Sequence, residues 1–261
     1  IKTFKKSYIT RTRIDHSEIS IIHKGSNCPK CDYVIVTALE EDEMEKVLPM
    51  IVSEGRVEDD KHLIEYGHLV GNEAKKIAFA SQATTGMIDA AILTTKMITL
   101  FKPRFVIMTG VLGGKPVKTK PGDIVVSTKV FTIDKGKITD EEYEREIETS
   151  LTENAYTTLF KRNKSKIIDS ISKSDETRNI VPEIHFEPIA CVRQVIDKKN
   201  YFIENITTRD RKTIALEMES YGVTRSCELT NNGTVIPIIV KSVMDNTIYK
   251  TDDDKTYAAW T

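Results

Sequence analysis

Acidic residues stand where short apolar runs end. Asp245 closes "TVIPIIVKSVMD" (234–245), Glu217 and Glu219 flank Met218 in "ALEMES" (215–220), and Glu40, Glu41, Asp42, Glu43 and Glu45 follow "YVIVTAL" (33–39). Carboxyl groups so placed suit the cleavage of a glycosidic bond. That reaction passes through an oxocarbenium-like sugar and needs an acid for the leaving group, a group to hold the nucleophile, and negative charge near the sugar. A purine leaves as a neutral base once a ring nitrogen is protonated, and a half-buried carboxyl at a strand end favours its protonated form. Asp245 has that position, although a helix cap or turn aspartate would look the same. In an extended segment Glu217 and Glu219 point one way and Met218 the other, so either acid can accept both vicinal ribose hydroxyls. A solvated helix start accounts equally for those acids and for the 40–45 run.

Gly110, Gly113, Gly114 and Lys115 resemble a phosphate-binding loop only superficially. Thr109 stands where such a loop requires glycine, Pro116 replaces its Ser/Thr, and no GxGxxG is present. The glycines read instead as a sharp backbone turn, either beside a small ligand or purely structural.

These residues must be positioned by an alternation of strands and helices. Apolar runs at 33–39, 76–82, 104–114, 122–131, 184–196 and 234–245 read as buried strands. Residues 85–101 read as a helix with an apolar face at Ile88, Ala91, Ile92, Thr95 and Ile98, and 139–176 as one or two charged surface helices. The pattern predicts an α/β fold with a sheet covered on both faces. In such sheets, functional loops sit at the carboxyl ends of the strands. Those ends would carry Glu41 and Asp42, 82–86, 110–115, Arg193 and Gln194, 217–219 and Asp245, all on one edge.

A net charge of -1 offers no global field for nucleic acid or membrane, and no apolar run approaches the ~20 residues of a span. Nor does the start carry a secretory pattern, so we expect a cytoplasmic protein. Cys28 and Cys31 form a CxxC without a second pair; the simplest reading is two reduced thiols in a turn, with zinc or redox use as minor alternatives. Residues 1–31 are basic and read as a linker, an arm, or the tail of a preceding, regulatory domain; 32–261 form the main domain. Both ends read as cut.

Five pieces in order carry a resemblance: "VIVTALEEDEMEKV", "TTGMIDAAILTTKMI", "FKPRFVIMTGVLGGKPVKTKPGDIVVST", "ALEMES" and "KSVMDN". Together they resemble the nucleoside phosphorylase/nucleosidase superfamily, nearest the methylthioadenosine/S-adenosylhomocysteine nucleosidases and related effector domains of bacterial antiviral defence proteins. The resemblance implies a three-layer αβα sandwich on a mixed, largely parallel sheet, a homodimer or higher oligomer, and no metal or organic cofactor. It makes Asp245 the acid for the purine and Glu219 the ribose ligand, with Met218 packed on the sugar and Glu217 beside it. It puts the water-holding acid on Asp42, with Glu41 as the fallback. Gly86, Gly110, Val111 and Gly113 fall in its substrate-binding turns, and Gln194, Val195 and Ile196 near the base.

Departures from the pattern matter too. Val111 and Met244 replace residues that are often serine, and Cys191–Val192 replace Ser-Gly. Fewer hydroxyls weaken the case for a phosphate nucleophile and favour hydrolysis. Lys115, Lys118, Lys120, Arg193 and the 208–212 run are candidates for neutralising a 5′-phosphate chain, or are plain surface charge. The expected function is therefore a purine N-glycosidase acting on a nucleoside or an ATP-like nucleotide. A phosphate-dependent phosphorylase and a non-catalytic nucleoside sensor stand as alternatives.

Overall fold

The computed structural model describes residues 20–22, 28–140, 143–174, 181–198, 200–247 and 258. Among the described residues, thirteen strands join one mixed sheet. In chain order they are β1 (Ser20–Ile22), β2 (Tyr33–Thr37), β3 (Ile51–Val57), β4 (Ile64–Leu69), β5 (Asn72–Ser81), β6 (Phe105–Gly114) and β7 (Ile124–Val126). Then come β8 (Lys129–Ile138), β9 (Tyr143–Leu151), β10 (Ile184–His185), β11 (Ile189–Cys191), β12 (Ala215–Glu217) and β13 (Ile236–Asp245). The helices are α1 (Glu45–Val47), α2 (Met87–Phe101), α3 (Ala155–Arg162), α4 (Lys164–Ser174) and α5 (Ser220–Leu229), with helical turns at Glu40–Met44 and Phe202–Thr207.

Both faces of the sheet are buried, as continuous apolar strands require. Val34 and Val36 of β2, Ala78 and Ala80 of β5, and Ile239 and Val243 of β13 share a core with Leu93, Met97 and Phe101 of α2 and Val223 and Cys227 of α5. The alternate residues Ile35, Ile77 and Phe79 face the other way, onto Met44, Val47 and Ile51. Further along the sheet, Ala190 and Leu216 meet Phe202 and Ile206. The α/β class and the covered mixed sheet follow the sequence reading.

Several local expectations did not survive. The buried face of α2 is Ala90, Leu93, Thr94, Met97, Ile98 and Phe101, whereas Ile88 and Ile92 are more than half exposed. The helix is apolar on two sides, and Gly222 decides which one packs: a Cβ there would fall 2.9 Å from the Met87 carbonyl carbon, so α5 can lie against α2 only as glycine. Residues 143–151 are a strand, not a helix. β9 pairs antiparallel with β8, and Lys135 reaches across to Glu146 and Glu148 at 3.2 and 3.3 Å. The expected strand 184–196 is two short ones split before Ile189 by Pro188, which has no amide hydrogen to give the ladder. Likewise 122–131 divides into β7 and the start of β8.

The basic segment 1–19 lies outside the described residues, while Ser20–Ile22 pairs parallel with β3. Cys31 packs in the main core, where burial pushes its thiol up to about 12. Among the described residues no helix is long and apolar enough to cross a membrane, and no group of three His, Cys, Asp or Glu side chains could hold a metal.

A buried ion pair ties β10 to the turn before β7. Asp123 accepts from the amides of Lys120 and Glu183 and meets His185 Nε2 at 3.2 Å. The Asp123 hydrogen bond raises the His185 pKa above 6.5 although burial opposes it. Burial alone would raise Asp123, but His185 and the two amides bring it below 3.8. A histidine with a raised folded pKa stabilises most below its unfolded value and loses that contribution as pH climbs through the folded value. Thermal stability should therefore decline as pH rises above about 6.5, and His185→Gln should flatten that slope in a melting-temperature series. An unchanged slope would show that another group sets it.

Candidate active site

The antiparallel pairing of β12 with β6 places the cleft. Leu216 lies opposite Gly113 and Ala215 opposite Gly114, so β12 runs back along β6 and delivers Glu217 and Met218 toward its middle. The carboxyl ends of β2, β5, β6, β11, β12 and β13 meet here, as the sequence reading expects. β6 contributes Val111 to Gly113, and its last residue, Gly114, leads elsewhere. β13 runs parallel to β6 and is bulged between Val243 and Asp245, which sets Asp245 across from Gly113.

The resulting cavity has a volume of about 250 Å³. Its walls include Val111, Gly113, Gln194, Val195, Ile196, Glu217, Met218, Glu219 and Asp245, all singled out in the sequence. Gly86, Gly110, Glu41 and Asp42 are not among its lining residues. Gly86 precedes α2 with φ +120°, Gly110 lies just behind the wall, Glu41 is exposed and Asp42 is half-buried. Residues given no site role in the sequence reading also line it: Leu39, Glu43, Thr85, Val192, Met244 and Thr247.

Glu43 is the carboxylate that the first acidic run sends inward. It is buried, and its Oε2 accepts from the amides of Ala38 and Leu39 at 2.8 and 3.1 Å, while Oε1 accepts from Val111 at 2.9 Å. The chain leaves β2, winds a turn, and folds Glu43 back over the end of the strand it has just left. A signal for this was present. That signal is partial: Glu43 stands four residues before the buried Val47 and Asp42 lies opposite the Met44–Val47 stripe, but α-helical spacing puts the exposed Glu40 nearer still.

Gly110 makes room for this carboxylate. Its φ is +142°, and a Cβ would fall 2.5 Å from Glu43 Cδ, whose oxygens three amides hold in place. Gly110→Ala should cost about 1–3 kcal/mol of stability from backbone strain. It should also displace Glu43, so activity falls further than stability does. A urea titration run beside kcat would check this; loss of stability at full kcat would show that Glu43 tolerates the shift.

Glu217 and Glu219 converge on one buried lysine, as an extended segment predicts. Lys241 Nζ lies 2.8 Å from Glu217 Oε2 and 3.1 Å from Glu219 Oε2. The two acids nevertheless differ. Glu217 also takes the amides of Glu219 and Ser220 at 3.1 and 2.9 Å and the Ser220 hydroxyl at 2.6 Å, so it caps α5 with both oxygens. Burial raises its pKa, but the ammonium and these donors outweigh burial, and the carboxyl sits below 4.5. For Glu219 burial prevails: Lys241 lowers it, the Glu217 charge raises it, and the net shift is upward. Both bonds recorded to Glu219, from Lys241 and from the Met218 amide at 3.4 Å, fall on Oε2, leaving Oε1 for another partner. Burial would lower Lys241, but Glu217, Glu219 and Glu43 together hold it above its usual value.

Asp245 is 4% exposed, and its Oδ1 accepts from the Thr247 amide at 2.6 Å. The absence of a side chain at Gly113 gives it space, since a Cβ there would stand 3.2 Å from that oxygen. The cleft therefore holds four carboxyl groups (Glu43, Glu217, Glu219 and Asp245) and, among the described residues, no cation in its lining; Lys241 sits behind it. Lys115, Lys118, Arg211 and Lys212, considered for a 5′-phosphate, line a different cavity beyond the start of β12.

Known proteins share this architecture. A methylthioadenosine/S-adenosylhomocysteine nucleosidase from Neisseria meningitidis, solved with methylthio-immucillin-A, superposes with a TM-score of 0.67 at 20% identity, covering 87% of this chain and 93% of that one. Futalosine hydrolase of Helicobacter pylori gives 0.65 at 17% identity over 88% and 93%. In sequence, a 5′-methylthioadenosine/S-adenosylhomocysteine nucleosidase of Desulfotalea psychrophila is 29% identical over 182 residues, 66% of this chain and 68% of that protein. An uncharacterized protein of Sinorhizobium fredii is 26% identical over 168 residues, 61% of this chain but only 40% of its own length. The family model of the phosphorylase superfamily matches residues 32–259, and the chain belongs to that superfamily.

Proposed function

We propose that this protein is a purine nucleosidase that hydrolyses the bond between base and ribose. The observation carrying this reading is the meeting of Asp245, Glu219, Met218 and Glu43 around one cavity of about 250 Å³. Its volume lies just below the usual range of ligand pockets, which suits a small ligand rather than a long nucleotide chain.

In the reaction, Asp245 gives a proton to the purine ring, and the C1′–N bond breaks with its electron pair going to the base. Glu219 Oε1 accepts hydrogen bonds from the ribose hydroxyls, and its charge opposes the positive charge growing on the sugar. Met218 packs against the ring. Glu43 holds a water molecule and takes its proton as the oxygen bonds to C1′. The products are free base and free ribose, and proton transfer between the two acids through solvent resets the site. Gln194, Val195 and Ile196 form the wall beside the base.

Charge supports hydrolysis over phosphorolysis. A phosphate nucleophile needs cationic or amide donors, and this lining offers four carboxyl groups instead. The same argument favours a nucleoside with an uncharged 5′ end over an ATP-like nucleotide. Adenine as the base, assembly into a dimer, and service as the effector of a larger defence protein rest on the family resemblance and the likeness to adenine-type complexes.

A panel of adenosine, methylthioadenosine, inosine, AMP and ATP, incubated with and without phosphate, tests this reading by chromatography of released base. We expect release from the uncharged nucleosides at a rate indifferent to phosphate. Release only with phosphate would make the protein a phosphorylase, and binding with no release would make it a sensor. Within the same assay, Glu43→Gln should lower kcat by ~10²-fold or more, whereas Asp42→Asn should change it only a few-fold. The reverse order would return the water-holding role to Asp42.

A further inference from the structure

A second cavity, about 520 Å³, opens beyond the start of β12 and shares no lining residue with the cleft. Lys115 anchors it: its amide donates to Ile214 O at 2.7 Å and its Nζ to Arg211 O at 3.1 Å, which ties the turn after β6 to the approach to β12. Burial, and after it the neighbouring Lys118, lower the Lys115 pKa, with Asp210 opposing them. Arg211, Lys212 and Lys118 are exposed on the rim. Two polar atoms in the wall are buried without a hydrogen-bond partner among the described residues: the hydroxyl of Thr213, a fully buried residue, and Oε2 of Glu187. An unpaired buried polar atom costs about 1–3 kcal/mol, and both atoms lie just beneath the wall rather than on its surface.

We propose that this cavity binds a nucleoside phosphate as a second site, distinct from the cleft. The cations take the phosphates. The Glu187 carboxylate repels a bare anion and calls for a ligand that also carries N–H or O–H donors, which a base or ribose provides. Phe186 adds an aromatic wall for that part. The volume is within the range of small-molecule sites.

The test uses the full chain as Asp245→Asn, so that nothing is consumed, titrated calorimetrically with ATP, GTP and inorganic tripolyphosphate. We expect saturable nucleotide binding and weaker tripolyphosphate binding. Lys118→Ala with Lys212→Ala should weaken the nucleotide by ~10-fold or more, while Glu219→Gln in the cleft leaves it unchanged. Glu187→Gln should shrink the preference for nucleotide over tripolyphosphate. Lys212→Ala alone serves if the double variant folds poorly, and Lys102→Ala with Lys137→Ala is the surface-charge control. No saturable binding would overturn the proposal. So would equal losses in the control pair, loss on Glu219→Gln, or tighter binding of a single-stranded oligonucleotide than of any nucleotide.

Discussion

Asp245→Asn is expected to reduce base release by ~10²–10⁴-fold while leaving the fold intact. An asparagine oxygen can still accept the Thr247 amide that Oδ1 now holds at 2.6 Å, and the volume change beside Gly113 is negligible. What is lost is the proton that lets the purine leave neutral. Since that proton matters in the transition state and not in binding, kcat should fall with little change in KM. The effect should also depend on the leaving group: a substrate whose base departs readily without protonation should suffer less from the substitution. Turnover within a few-fold of the wild type on adenosine-like substrates would remove Asp245 from the acid role.

Lys241→Met should be the most destabilising change near the site. Lys241 is 1% exposed and compensates Glu217 and Glu219, whose side chains are 2% and 7% exposed. Removing one partner of a buried ionic cluster costs about 3–5 kcal/mol because the remaining charge stays buried. For a chain of this size that is roughly 6–20 °C in melting temperature. The pH dependence gives a second readout. In the wild type the depressed Glu217 pKa stabilises above 4.5 and is lost as pH falls through the folded value. Without the ammonium, burial raises that carboxyl instead, so acid stabilises the variant. The gap between the two melting curves should narrow from neutral pH toward pH ~5, and Lys241→Arg should restore most of the loss. A neutral outcome, with an equal gap at every pH, would mean that the carboxylates find other partners.

How far the sequence anticipated the site depended on what each residue's position relied upon. Asp245, Glu219 and Met218 were legible because they end or interrupt strands that the apolar runs mark clearly. Asp42 stands in the sequence reading where the structure puts Glu43, since counting acids along the chain says nothing about which side of a turn faces inward; the Met44 and Val47 spacing argues against Asp42 but does not single out Glu43 over Glu40. Lys241 was hidden inside an apolar run, where its partner acids 22 and 24 residues earlier are invisible to local pattern. Of the basic residues offered for a 5′-phosphate, Lys120 and Arg193 line neither cavity, while Lys115, Lys118, Arg211 and Lys212 line the one outside the cleft. Only the antiparallel pairing of β12 with β6, a long-range fact, shows that they lie beyond its start while the cleft lies at its end. The exposed Ile88 and Ile92 make the same point for α2: two apolar faces compete, and Gly222 on a distant helix selects one.

In the proposed reaction free base leaves the cleft with water as the nucleophile. The most direct measurement is the product balance from an uncharged adenine nucleoside in phosphate-free buffer. Equal amounts of free adenine and free ribose sugar, formed by the wild type and not by Asp245→Asn, are the predicted result. No adenine without phosphate, or adenine accompanied by a sugar phosphate when phosphate is added, would contradict it.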